Sequence, residues 1–327
     1  MSKSTKPLVV DLFAGAGLFS HAFQLEGFEI VESIEFDPVA AATYRKNLGN
    51  HVKAGDVRSY KPKGRCDVLI GGPPCQGFST MSRKRDSKDP RNFLSLEMVR
   101  WAKVLKPSVV VIENVAPFLT APVWTKLSRQ FEELGYELSS GVYNAVDFGV
   151  PQRRDRSFTI ASKIGFTEIK KLRQFNTNTV REAWDGLSSR PDGKNHHVAP
   201  VPTKKTLDRI KYVPPEGDRA ELIRLAPHLV PPSLLRLKSG VSDVWGRMKW
   251  DEPANTIRTF MIHPSKGRYL HPEQDRVLSL REAARIQSIP DSFTFEGGIT
   301  DIARQIGNAV PTGLGRAVAR SVMQSLR

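Results

Sequence analysis

Cysteine is nearly absent. The 327-residue chain holds only Cys66 and Cys75, with no CxxC pair and seven scattered histidines. That excludes a disulfide framework and a zinc site of the usual spacing, so any important cysteine is a free thiol. Long apolar runs are missing too, none approaching the roughly 20 residues that span a bilayer. Residues 1–7 are polar and lead straight into a strand-like run, with no hydrophobic signal segment, and the chain reads as cytoplasmic and without a membrane partner. There is no internal repeat and no low-complexity tract. Negative charge is in deficit, 34 Asp and Glu against 49 Lys and Arg, a net +15. Residues 165–249 carry 16 Lys/Arg against 9 Asp/Glu and residues 76–92 carry 5 against 2, so these two stretches supply ten of the fifteen charges. An excess concentrated in this way points to a polyanion, because Lys and Arg neutralise phosphates and release counterions.

What is present first is alternation. Apolar strand-like runs at Leu8–Phe13, Ile30–Phe36, Val68–Gly71 and Val109–Glu113 are separated by helical patterns at Leu18–Leu25, Pro38–Leu48 and about Leu94–Leu105, the rhythm of a parallel sheet with crossover helices. Gly27 and Gly49 close the first two helices. Two antiparallel strands are expected at Gly141–Asp147 and Ser157–Ala161. From about Phe166 the texture changes: eight prolines fall between Pro191 and Pro232 and the βαβ rhythm is lost. Regular patterns resume after Asp251, and Leu314, Val318, Val322 and Leu326 form a stripe on one helix face. The expected organisation is residues 1–164 as a catalytic and cofactor domain and residues 165–249, extending to about 275, as a smaller irregular domain. Residues 250–327 then form a C-terminal segment whose last helix returns to the first domain.

The segment Asp11-Leu-Phe-Ala-Gly15-Ala-Gly17 ends a strand and opens a helix, where glycines let a ligand approach backbone amides. The next strand ends in Glu35 and Phe36, about 20 residues on, the place of an acid on ribose hydroxyls and of an aromatic able to stack on adenine. Asp56 follows Gly55 at a third strand end, suited to the adenine amino group. Leu18 and Phe19 stand where a dinucleotide fingerprint needs a third glycine, which argues against NAD. S-adenosylmethionine carries no phosphate and needs no such cradle.

Gly71-Gly-Pro-Pro-Cys75-Gln-Gly-Phe-Ser79 follows a buried strand directly, placing Cys75 at the sheet's carboxyl edge. Free cysteines are mostly buried apolar fillers, and Cys66 is read as one. Glu113-Asn-Val115 ends the following strand, so a carboxyl group is expected beside the thiol. In Gln152-Arg-Arg154-Asp-Arg156, strand alternation would project Gln152, Arg154 and Arg156 on one face.

Taken in order, Asp11–Gly17, Glu35, Asp56, Pro73-Pro-Cys75-Gln76, Glu113-Asn-Val115, Gln152–Arg156, Arg281-Glu-Ala-Ala-Arg-Ile-Gln287 and Gln305-Ile-Gly-Asn308-Ala-Val-Pro311 resemble the DNA cytosine-5 methyltransferase family, of the bacterial restriction-modification type. The resemblance covers nearly all the chain outside 165–249; one departure is Leu18, where many members have a second consecutive glycine. It implies an α/β, Rossmann-like class I S-adenosylmethionine-dependent sheet with a smaller, irregular target-recognition domain. It also implies methyl transfer from S-adenosylmethionine, leaving S-adenosylhomocysteine, to carbon 5 of a flipped cytosine in duplex DNA.

By that resemblance Cys75, Glu113, Arg154 and Arg156 are catalytic. Asp11, Phe13, Ala14, Gly15, Gly17, Glu35, Phe36, Asp56, Val57, Pro73, Asn308 and Val310 hold the cofactor, and no metal is called for. Gln76, Ser79, Met81, Arg83, Arg85, Gln152 and Thr256 contact DNA, Met81 from a position where a side chain can fill the gap a flipped base leaves. Residues 76–92 read as a basic loop closing over that base. Cytosine carbon 5 is a poor nucleophile; attack by a thiolate at carbon 6 makes it an enamine, with Glu113, its pKa raised by burial, handling the proton at nitrogen 3. The expected partner is double-stranded DNA, met by a monomer, with a cognate restriction endonuclease acting separately as a further candidate. Competing readings are a tRNA cytosine-5 methyltransferase and a DNA-binding regulator without catalysis; the basic insert favours DNA, and the retained Cys75, Glu113 and arginines favour an enzyme.

Overall fold

The apolar runs of the first half become a seven-stranded sheet in a computed structural model that describes residues 6–74, 93–165, 168–170, 178–236 and 243–327. Its strands are β1 (Leu8–Leu12), β2 (Glu29–Glu35), β3 (Val52–Ala54), β4 (Val68–Gly71), β5 (Val109–Asn114), β6 (Glu137–Asn144) and β8 (Asp155–Ser162), while β7 (Gln152–Arg153) belongs to another sheet. The order β3-β2-β1-β4-β5-β8-β6 is parallel from β3 to β5, with β8 antiparallel to both β5 and β6. The expected α/β architecture is therefore observed. Between β1 and β4 the chain reverses the direction in which it adds strands, and open sheets of this kind hold ligands beyond the carboxyl ends at that point.

Local chemistry explains the helices. Helix α1 (Leu18–Leu25) starts at Gly17, left-handed at φ 92°. Helix α2 (Pro38–Leu48) has Pro38 in its first turn and an N-cap Asp37 whose carboxylate accepts the Val39 amide. Helices α3 (Leu96–Leu105) and α4 (Pro122–Glu133) flank β5 in sequence. Trp101, Leu127 and Phe131 from these two helices are fully buried with Val110 and Ile112 of β5 in one core. Cys66 is buried as expected, and burial pushes its thiol up to about 12.

The chain divides into two compact units, residues 1–148, 155–174 and 310–327, and residues 149–154 and 175–309. In the first, α11 (Thr312–Ser325) packs on α1, where a Cβ at Gly315 would lie 2.9 Å from Ala22 Cβ, and Arg316 and Arg320 pair with Glu26.

The second unit takes in all of 165–249 beyond residue 174, together with 250–309. Its helices are short: α5 (Val180–Ala183), α6 (Lys204–Ile210), α7 (Arg219–Leu225), α8 (Pro232–Leu235), α9 (Leu280–Ile286) and α10 (Ile299–Asn308). Its only strand pair among the described residues is β7 with β9 (Ala254–Asn255). Irregular backbone leaves buried carbonyls without ladder partners, and buried arginines, with five donors each, satisfy them here. Arg247 donates to the carbonyls of Ile210, Val213, His271 and Gln274, and Arg281 to those of Asn195, Pro290 and Phe293.

His271 lies in the same unit, stacked on Trp184 and edge-on to Trp250, with Nδ1 accepting the amides of Glu273 and Gln274. Burial, then Arg276, pushes it down to about 4. A histidine depressed in the folded state contributes stability above its unfolded value near 6.5, and that stability is lost as pH falls towards 4. Between pH 7 and 5 the loss from this one residue is about 2 kcal/mol. Urea unfolding of His271→Gln, which stays neutral, should show a correspondingly flatter acid limb than wild type; identical acid limbs would show that His271 is not the group being charged.

Candidate functional site

The carboxyl ends of four parallel strands meet in register, Leu12 opposite Ile34 and Gly71, and Gly71 opposite Ile112. Beyond β1 the chain turns sharply: Phe13 has φ 61°, rare without a glycine and a mark of built-in strain, and Gly15 has φ 56°. The two glycines differ. A Cβ at Gly15 would meet nothing within 4 Å, leaving the loop open, whereas one at Gly17 would come within 2.6 Å of Leu48 and 2.7 Å of Tyr44. Gly15 is thus required by backbone conformation alone, and Gly17 by both its left-handed backbone and packing. Ala14 ties the loop to β2 through the Ile34 carbonyl.

Glu35 is anchored at both oxygens, Oε2 accepting the Gly15 amide and Oε1 the Asp37 amide, each at 2.7 Å. Burial pushes its carboxyl up and those two bonds oppose the shift. Phe36, beside it, is 74% exposed, an unusual position for a large aromatic. Asp56 accepts the Arg58 amide and pairs with the Arg58 guanidinium, which holds it below the usual carboxylate range. Val57 is buried, and its carbonyl and that of Tyr60 accept from Arg100 on α3.

Beyond β4, the Pro73 carbonyl accepts Asn114 Nδ2 at 3.1 Å, fixing the chain two residues before Cys75. Ser157 Oγ donates to the Val115 carbonyl, and Glu113 stands opposite Phe158 on β8. Arg156 Nε lies 2.9 Å from Glu113 Oε1, with side chains only 15% and 11% exposed. Burial pulls the Arg156 guanidinium down, while Glu113 and Asp155 hold it up. A Cβ at Gly72 would be 3.2 Å from Glu113 Oε2, so that glycine leaves room for the carboxylate. Cys75, Gln76, Ser79, Met81, Arg83 and Arg85 lie outside the described residues.

The expectation of one strand carrying Gln152, Arg154 and Arg156 is corrected. The run breaks between β7 and β8, which lie in different sheets and different units. Arg154 is 1% exposed and donates to the carbonyls of Ile257, Gly307 and Ala309. It braces the second unit, and Arg156 is the arginine on Glu113. Gln152, fully buried, spends Nε2 on Gln287 and Oε1 on the Ile257 amide, so it positions the Thr256–Ile257 segment and has no surface to offer DNA. Thr256 gives its hydroxyl hydrogen to the Arg153 carbonyl. Asn308 is exposed at the end of α10 in the second unit, whereas Val310 is buried in the first, close to Gly315.

Sequence reasoning missed Arg100, Ser20 and Tyr44. Ser20 left a signal, a polar residue on the buried face of an apolar helix; for Arg100 the only local signal is its pairing with Glu97, because the carbonyls it holds at Val57 and Tyr60 lie 40 or more residues away.

A family model described as C-5 cytosine-specific DNA methylase matches residues 8–324. The chain is 33% identical to the Type II methylase M.HgiDII of Herpetosiphon aurantiacus, covering 97% of this chain and 95% of that one. It is 36% identical to the Type II methyltransferase M1.HphI of Haemophilus parahaemolyticus, covering 96% and 86%. Among solved structures, the Entamoeba histolytica methyltransferase EhMeth superposes with a TM-score of 0.68 at 16% identity, covering 99% of this chain and 100% of that one. The Schizosaccharomyces pombe Dnmt2 methyltransferase gives 0.63 at 18%, covering 98% of each. These likenesses show an α/β methyltransferase fold. Among the described residues no helix is long and apolar enough to cross a membrane.

Proposed function

Because the chain belongs to the C-5 cytosine-specific DNA methylase family and is a DNA cytosine-5 methyltransferase, we propose that it methylates carbon 5 of a flipped-out cytosine within one specific duplex sequence, through a covalent Cys75 adduct at carbon 6. The observation that carries the reading is the Glu113–Arg156 pair, packed against Gly72 at the strand end that leads into Cys75. A thiolate adding at carbon 6 pushes electron density towards ring nitrogen 3, and a carboxyl group at that edge supplies the proton. Arg156 has two roles in this reading: it fixes Glu113, and it offers donors to the cytosine O2.

Methyltransferases generally take the methyl group from S-adenosylmethionine, which supplies an electrophilic carbon on a sulfonium. The residues present suit it. Asp11 Oδ1 is buried without a hydrogen-bond partner among the described residues, a place for an ammonium group. Glu35 keeps lone pairs for ribose hydroxyls, exposed Phe36 offers a stacking face, and Asp56 with Val57 lies at the next strand end for the adenine edge. Target recognition is assigned to the irregular part of the second unit, where short helices and loops can present side chains to base edges. In this reading the chain serves a restriction-modification system as a monomer, with a nuclease acting separately; the Type II names of its relatives support the restriction-modification part.

Transfer of radiolabelled methyl from S-adenosylmethionine to duplex DNA and, in parallel, to tRNA tests the reading. The label should appear as 5-methylcytosine in DNA at one sequence. Label on adenine, on the cytosine amino group, or only in tRNA would overturn it.

A further inference from the structure

Behind the glycine loop a chain of buried polar groups links four elements of the first unit. Asp11 is 1% exposed on β1 and accepts Ser20 Oγ of α1 on Oδ2 at 2.6 Å. Tyr44 of α2 donates its hydroxyl to Ser20 Oγ at 3.0 Å. The same hydroxyl oxygen lies 2.7 Å from Ser33 Oγ on β2 and 2.9 Å from His51 Nε2.

Proton counting leaves one arrangement when Asp11 is ionised. A carboxylate only accepts, so Ser20 must give it its hydrogen and can then only accept from Tyr44. Tyr44 has one hydrogen and has spent it, so Ser33 and His51 must both donate to Tyr44, which fixes His51 with its hydrogen on Nε2. Every donor runs towards Asp11, an alignment in which each bond polarises the next. The chain serves Oδ2 alone, while Oδ1 stays buried without a hydrogen-bond partner among the described residues. A buried anion satisfied on one oxygen calls for a cation at the other. The Tyr44 ring also fills the space that Gly17 leaves by lacking a Cβ, so the central link of the chain is also the wall behind the loop.

We propose that Ser20, Tyr44 and His51 are positioning residues that hold the Asp11 carboxyl, through this one-way chain, to receive the ammonium end of the methyl donor. The proposal rests on the reading of S-adenosylmethionine as that donor. The groups facing Asp11 from the elements around it are Ser20 of α1, Ser33 and Glu35 of β2 and Tyr44 of α2, with β4 contributing only Ile70 in register. Burial first, against the Ser20 bond and with the repulsion of Glu35, pushes Asp11 up to about 7. Without ligand the carboxyl is therefore half protonated near neutrality, and binding an ammonium there expels a proton. Affinity must rise with pH until Asp11 is ionised, and removing a donor from the chain must move that rise to higher pH.

Calorimetric titration of S-adenosylhomocysteine, which keeps the ammonium and lacks the sulfonium, into the full chain between pH 6 and 8.5 reads this directly. Running it in two buffers of different ionisation enthalpy counts the proton released. Wild type should bind more tightly as pH rises and release a fraction of a proton that grows towards one as pH falls below 7. Ser20→Ala should bind about tenfold more weakly at pH 7, the size of one lost bond to a charged group, and Tyr44→Phe, whose hydroxyl bonds the neutral Ser20, should weaken binding less. Both should have the pH midpoint displaced upward. Ser20→Thr restores the donor and should restore the midpoint. His51→Leu lies at the half-buried end, where folding is least at risk, and should shift in the same direction, while His51→Gln, which keeps an N–H, should not. Wild-type midpoints in Ser20→Ala and His51→Leu would overturn the chain's role, as would a wild-type affinity that ignores pH. Failure of wild type to bind at any pH would instead remove the cofactor reading itself.

Discussion

Cys75→Ser should lower methyl transfer at least about 10⁴-fold while leaving duplex DNA and S-adenosylhomocysteine bound with little change. The substitution trades sulfur for oxygen at nearly the same volume, so the prolines ahead of it and the Asn114 bond to the Pro73 carbonyl remain. What disappears is an atom that can exist as an anion near neutral pH and attack a ring carbon. Two measurements separate this from a folding defect. Binding of both ligands must survive, and a duplex carrying fluorine at cytosine carbon 5 must distinguish the proteins. After methyl transfer the ring normally sheds the carbon-5 proton to expel the thiolate, which fluorine prevents. Wild type should therefore accumulate a protein–DNA adduct stable to denaturation, and the serine variant none. A serine variant that retains turnover within tenfold of wild type would sink covalent catalysis at this position.

The first half of the chain was legible because its signals are local. Helix α1 begins after Gly17 and α2 ends before Gly49 as expected, since glycine conformation and the Asp37 cap act within a few residues. Strand β4 and the first four residues of β5 are unbroken apolar runs, the mark of strands covered on both faces. Strand β6 begins at Glu137, four residues ahead of the expected Gly141, and it ends at Asn144 where a 3-10 turn takes over. It lies at the sheet's edge, where one face is solvated and Ser139 and Ser140 carry no apolar signal.

The site was legible in the same measure. Glu113 and the Pro73 segment adjoin because parallel neighbours end together, which strand order alone implies. Arginine roles were not legible. Alternating burial along 152–156 looks identical whether the residues share a strand or not, and the carbonyls that take up Arg154 lie 103 to 155 residues away. The same holds for charge. Part of the basic excess faces inward, since Arg247 within 165–249 is 3% exposed and bound to carbonyls and Asp275, so the number of cations available to phosphates is smaller than composition indicates.

Glu113→Gln should reduce the single-turnover rate by about 10² to 10⁴, the range for a general acid or base. The amide keeps the shape of the side chain and can still accept from Arg156, but it cannot carry a proton to the base. Because Arg156 Nε sits 2.9 Å from the carboxylate in a buried place, the same change also leaves a guanidinium without its counter-charge. Some loss of stability must accompany the loss of rate, and the two have to be separated. Donor affinity provides the control: Asp11, Glu35 and Asp56 are not altered by this substitution, so binding of S-adenosylhomocysteine should stay within a few-fold of wild type. Arg156→Lys provides the complement, keeping a positive charge on Glu113 while losing the planar fork, and should lower the rate less than Glu113→Gln does. If Glu113 only anchored Arg156, the ranking would invert, and a rate loss of only a few-fold in Glu113→Gln would assign the proton to another group.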